Sequence, residues 1–180
     1  MLEQTLASFH QGTSLAVLTG DLQTDNDAKR LARYGFPGRQ IVTGGTCHLD
    51  ARMVTRHLDE MGFRGPGILF VENVGNLVCP SSYDLGEAAK IALLSVTEGE
   101  DKPLKYPGTF HRASLMILTK TDLLPHVEFA PKLALENARK IHSKIEYIAL
   151  SSRTREGSPE WLNWLRGLRT RVGQEVAAIS

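Results

Sequence analysis

The sequence predicts an α/β fold in which a mostly parallel sheet carries helices on both faces. Three observations point to it. Predominantly apolar runs recur at Ile68–Val71, Ile91–Val96 and Ala113–Leu118, the last two each carrying a single serine. None shows the alternation of a half-exposed strand, so each reads as a strand covered on both sides. Helical segments alternate with these runs through short links, the pattern of a wound parallel sheet. Finally, the apolar runs stop abruptly at polar residues: Glu72-Asn73-Val74-Gly75-Asn76, Thr119-Lys120-Thr121-Asp122 and Ser151-Ser152-Arg153-Thr154. The carboxyl ends of strands are where open α/β sheets bind ligands.

Taken in order, Leu2, Leu6 and Phe9 share one face of a short helix over Met1–His10, and Ser14–Thr19 follows as a strand. Gly20–Asp27 is an acidic loop leading to a helix at Ala28–Tyr34. Gly38–Val42 is a strand, and Thr43–Asp50 leads into a helix over Ala51–Met61. The turn cluster Gly62–Pro66 precedes the central strand. Asp84–Lys90 reads as a loop or helical turn before the strand Ile91–Val96, and Thr97–Pro107 reads as a charged, solvated loop with two prolines. After the strand Ala113–Leu118 come a helix over Pro131–His142, a strand at Ile145–Leu150 and a last helix from Gly157. That helix places Trp161, Leu162, Trp164, Leu165 and Leu168 on its apolar face.

Composition narrows the functional classes. A chain of 180 residues, 42% apolar and 23% charged, suits one domain, residues 1–180, with a real core. A net charge of +1 gives no electrostatic case for nucleic acid or an anionic membrane as partner. Two cysteines are too few for a disulfide scaffold. The chain has no apolar run of about 18 residues and no basic-then-apolar start, so a cytoplasmic location is expected.

Three groups of residues carry chemistry. Asp21, Asp25 and Asp27 follow a strand and can hold a divalent cation or its waters, or serve only as helix caps. Cys47 and His48 follow the Gly44-Gly45 pair near a helix start, where a thiol pKa is lowered. They cannot close a metal site alone. Cys79, the one other cysteine, is the candidate to join them; otherwise Cys47 is a small core residue and His48 a surface one. The strand-end sequence Thr119-Lys120-Thr121-Asp122 can read guanine. A carboxylate accepts paired hydrogen bonds from the ring N–H and the exocyclic amine, which adenine cannot offer. Lys120 lays its stem along the base, Asp122 makes the pair, and Ser151 and Ser152 sit at its other edge. Taken alone, such a tetrad is a weak signal.

The stretches GDLQTDND, GGTCHLD, FVENVGNLVCP, LLSVTEGEDKPLKYP and TKTDLLP, in this order, resemble the hydrogenase nickel-incorporation GTPase family, HypB. The resemblance runs almost the whole length of the chain. It implies a phosphate-loop G-protein fold of the SIMIBI class and a homodimer formed face to face around GTP or GDP. It also implies delivery of Ni(II) to the precursor of the [NiFe]-hydrogenase large subunit, alongside other nickel-maturation proteins. By resemblance, Asp21 with Asp25 and Asp27 lies at the switch near Mg²⁺, and Glu72 and Gly75 at the switch that senses the γ-phosphate. Lys120 and Asp122 become the guanine reader. Cys47, His48 and Cys79 become a Ni or Zn site at the dimer interface, which favours the ligand reading of the Cys-His pair.

The chain departs from the family pattern twice. Arg52 stands where some members carry a further histidine, which argues against a second metal. No G-x-x-x-x-G-K-[ST] phosphate loop occurs in the 180 residues, and the chain is expected to begin inside the helix that follows that loop. The main expectation is a GTP hydrolase whose nucleotide cycle gates Ni(II) transfer. The alternative is a non-hydrolysing Ni- or Zn-binding accessory protein.

Overall fold

A computed structural model describes residues 1–8, 13–21, 37–64 and 66–179. The helix expected at Ala28–Tyr34 falls outside these residues, as do Asp25 and Asp27. The chain divides into two compact units, Met1–Gly86 and Glu87–Ser180.

In the first unit, helix α1 (Leu2–Ser8) precedes β1 (Ser14–Asp21), β2 (Gly38–Val42), α2 (Ala51–Met61) and β3 (Gly67–Glu72). The sheet order is β2-β1-β3, all parallel. Val17 lies opposite Gly38 and Phe70, and Thr19 opposite Gln40 and Glu72. Among the described residues β1 is therefore the central strand, which corrects the expectation for Gly67–Glu72: β3 lies at the edge of this sheet with its Ile68–Val71 run only partly buried, whereas Leu15–Leu18 of β1 is almost wholly buried. Helix α2 begins where Asp50 accepts a 2.8 Å hydrogen bond from the Met53 N–H, satisfying one of the unpaired donors of the first turn. Its Val54 packs with Leu18, Ile41 and Leu49. A 3₁₀ turn at Cys79–Ser82, unmarked by any periodicity, follows the loop after β3.

The second unit contains β4 (Ile91–Ser95), α3 (Lys102–Lys105), α4 (Pro107–Arg112), β5 (Leu115–Thr119), α5 (Pro131–Ile141), β6 (Glu146–Leu150) and α6 (Ser158–Ile179). Its sheet, β4-β5-β6, is again all parallel. In β5, Leu115 to Leu118 are fully buried, and Ala134 and Ala138 of α5 and Phe110 of α4 share the core with Met116 and Leu118. Each fully buried side chain of that size contributes about 1.5–3 kcal/mol over its exposed state.

One expectation is corrected here. The segment read as a solvated charged loop forms two short helices, α3 and α4. A proline stands at the start of each, where its fixed φ suits the helix and its missing N–H costs nothing. The Glu100 side chain accepts a 2.7 Å bond from the Ala130 N–H, and its carbonyl accepts one of 3.0 Å from Asn137 Nδ2. The segment is thereby tied to the start and body of α5. The last helix also differs in detail: Trp161 and Leu165 are buried, whereas Trp164 stacks on Trp161 with centroids 5.8 Å apart and donates to Glu146. Its indole is half packing and half polar contact.

Candidate functional site

The metal candidates lie together in the first unit. The chain leaves β2 through a tight turn, Thr43–Thr46, in which Gly44 and Gly45 both have positive φ. That backbone is open to glycine and strained for residues with a Cβ. Reciprocal bonds lock the turn: Thr43 Oγ1 donates to the Thr46 carbonyl at 2.7 Å, and Thr46 Oγ1 to the Thr43 carbonyl at 2.9 Å. Cys47 emerges from it exposed to solvent. Cys47 and His48 precede the helix, which begins at Ala51 as its pattern predicts, and Asp50 takes the capping role.

The loop after β3 approaches this turn through two asparagines. Asn73 Oδ1 accepts 2.9 Å bonds from the N–H groups of Leu49 and Val74. Asn76 Oδ1 accepts from the Val78 N–H at 2.9 Å and the Cys79 N–H at 2.8 Å, while Asn76 Nδ2 donates to the Cys47 carbonyl at 2.7 Å. Interaction with the nearby Cys47 side chain, followed by burial, holds the Cys79 thiol above its ordinary pKa. The His48 ring stacks on Tyr83, with centroids 3.7 Å apart and planes 11° from parallel, and its Nδ1 lies 3.9 Å from Cys47 Sγ. Among the described residues, no three His, Cys, Asp or Glu side chains converge as a complete metal site. The fold ties the two cysteine-bearing segments together and holds the imidazole beside the Cys47 thiol.

Of the other expected residues in this unit, Asp21 ends β1, and Glu72, which is exposed, ends β3. Gly75 lies in the loop between the two asparagines.

The base-reading candidates lie in the second unit. Lys120 follows β5 in the left-handed region, φ 60°. The chain then turns through a 3₁₀ segment, Thr121–His126. Ser151, fully buried after β6, donates to Asp122 Oδ1 at 2.6 Å. The same hydroxyl accepts from the N–H groups of Arg153 and Thr154, both at 3.1 Å. One hydroxyl thus orients the carboxylate and organises the loop that holds Ser152. Thr121 Oγ1 is buried without a hydrogen-bond partner. The loop closes at Gly157, φ 72°, where an added Cβ would lie 1.9 Å from the Ala149 carbonyl oxygen.

Sequence reasoning missed Asn73, Asn76 and Tyr83. Asn76 did leave a signal, an asparagine three residues before Cys79, in the position from which a side-chain oxygen closes a local turn. Its second bond, across to Cys47, spans 29 residues and left none.

The family model for the CobW/HypB/UreG nucleotide-binding domain matches residues 1–149. The chain is 52% identical over 175 residues to the hydrogenase maturation factor HypB of Azotobacter vinelandii, a match covering 96% of this chain and 58% of that protein. It is 50% identical over 169 residues to HypB of Escherichia coli strain K12, covering 94% and 58%. The chain therefore spans a little over half the length of these curated relatives. Among solved structures, HypB from Helicobacter pylori in complex with nickel superposes with a TM-score of 0.86 at 38% identity, covering 94% of this chain and 80% of that one. On the length, order and identity of these matches, the chain belongs to the HypB family of hydrogenase maturation factors, within the CobW/HypB/UreG nucleotide-binding proteins.

Proposed function

We propose that this protein hands Ni(II) to the [NiFe]-hydrogenase large-subunit precursor, with GTP hydrolysis gating the transfer. The observation that carries the reading is the approach of the Cys47 and Cys79 segments, both bonded to the Asn76 amide, with the His48 ring beside Cys47 Sγ. Two thiolates and an imidazole suit Ni(II) or Zn(II), and the metal here is the cargo. Three ligands per chain leave a position for water or for ligands of a second copy across a two-fold axis, so the working form is a homodimer. Lys120, Asp122, Ser151 and Ser152 select guanine. Asp21, Asp25 and Asp27 serve Mg²⁺, and Glu72 and Gly75 respond to the γ-phosphate. The setting is the cytoplasm, shared with the other nickel-maturation proteins. Among the described residues no helix is long and apolar enough to cross a membrane.

The nickel complex of the Helicobacter pylori relative supports the choice of metal. The alternative, metal binding without nucleotide chemistry, uses the same metal site. Both readings share one test. Cys47→Ala and Cys79→Ala should each weaken Ni(II) or Zn(II) binding about tenfold or more, since even residues that only orient ligands are worth 10–100-fold. Unchanged titrations for both variants would overturn the metal site.

A further inference from the structure

We infer that Asn76 is a positioning residue that sets the spacing of the Cys47 and Cys79 thiols. The inference rests on the metal reading above. Cys47 lies in the loop after β2 and Cys79 opens the short 3₁₀ turn that follows the loop after β3, and neither element fixes the separation of the two by itself. Asn76 supplies the tie with one planar group. Its carboxamide oxygen receives two N–H groups on the Cys79 side, from Val78 and Cys79 itself. Its carboxamide nitrogen donates to the Cys47 carbonyl at 2.7 Å. The amide orientation is forced, because N–H groups demand an acceptor at one end and a carbonyl demands a donor at the other. The backbones of both cysteines are therefore bonded to opposite ends of one rigid amide.

Asn73 makes a parallel tie of different chemistry. Both of its bonds among the described residues are accepted by Oδ1, from Leu49 and Val74. A carboxylate can do the same. At Asn76 a carboxylate keeps the two bonds on the Cys79 side but loses the donor to Cys47, and sets oxygen against oxygen there. The same substitution at two neighbouring asparagines thus separates the inter-loop tie from the addition of a negative charge to the loop.

The test uses the purified full chain with Asn76→Asp, Asn73→Asp and the uncharged, similar-sized Asn76→Leu. Two quantities are read. One is Ni(II) affinity. The other, measured without metal, is the equilibrium between the dithiol and a Cys47–Cys79 disulfide in a glutathione buffer. There, one oxidised glutathione takes two electrons and two protons from the thiol pair and leaves as two reduced glutathiones. This second quantity reports how close the thiols are held, whatever metal they bind. Both Asn76 variants should lose about tenfold in Ni(II) affinity. They should also lose about tenfold in the disulfide equilibrium, a shift of about 30 mV toward easier reduction. Asn73→Asp should leave both nearly unchanged. Asn76 variants with the parent's disulfide equilibrium would overturn the positioning role. A shifted disulfide equilibrium with unchanged Ni(II) affinity would uphold the positioning and overturn the metal reading beneath it.

Discussion

Removing the Ser151 hydroxyl tests whether the base-reading loop is built as the geometry indicates. Ser151→Ala deletes a donor to the Asp122 carboxylate and an acceptor shared by two backbone N–H groups. A hydrogen bond to a charged group is worth about 1.5–3 kcal/mol, and stranding partly buried N–H groups adds on the order of 1 kcal/mol. The expected loss is about 2–4 kcal/mol. With a urea slope of roughly 2 kcal/mol per molar, the midpoint should fall by about 1–2 M. The readout is favourable, because the two tryptophans of the chain, Trp161 and Trp164, both lie on α6 of the second unit. Their fluorescence reports the unit that contains Ser151. Asp122→Ala and the double variant complete a cycle, whose coupling energy should be about 1.5 kcal/mol or more. A coupling within about 0.5 kcal/mol of zero is what independent sites give, and would refute the claim that Ser151 acts through Asp122.

Asp122→Asn should erode the preference for guanine over adenine nucleotides, because an amide cannot accept both bonds of the guanine edge. Equal competition by GTP and ATP at the parent protein would remove that assignment. The 180 residues contain no phosphate loop, and phosphoryl transfer depends on the positioning and charge stabilisation such a loop supplies. This polypeptide by itself should therefore turn over GTP no faster than buffer. Mg²⁺-dependent turnover by these 180 residues would mean that another segment cradles the phosphates.

What could be read from the sequence was whatever repeats or whatever stays local. Gly38–Val42 and Ala51–Met61 have the same bounds by pattern and by structure. The eleven-residue amphipathic period of Ala51–Met61 is a self-contained signal, and GRQIV is a short segment that its flanking turns delimit. The helices at Lys102–Lys105 and Pro107–Arg112 escaped because neither is long enough to show a period, and because Glu100 ties the segment to residues 30 and 37 positions away. The metal candidates were legible as residue types, since a Cys-His pair and one further cysteine are few enough to invite pairing. Their meeting was not legible. It depends on Asn76, and the Tyr83 stack on His48 joins residues 35 apart in the chain. In the same way, Asp122 could be found by its strand-end motif, but the hydroxyl that orients it comes from the next strand over.

Gly157 makes the base-reading loop vulnerable from behind. It contacts no proposed ligand, yet any side chain there would press into the backbone of Ala149 and Leu150, the two residues that deliver Ser151. A random mutagenesis screen scored on guanine selectivity would therefore return position 157 together with Lys120 and Asp122. The hit would look like a contact residue. It would instead mark the wall against which the end of β6 is set, and exchange at that position would be closed to drift even where the chemistry of the site is left intact.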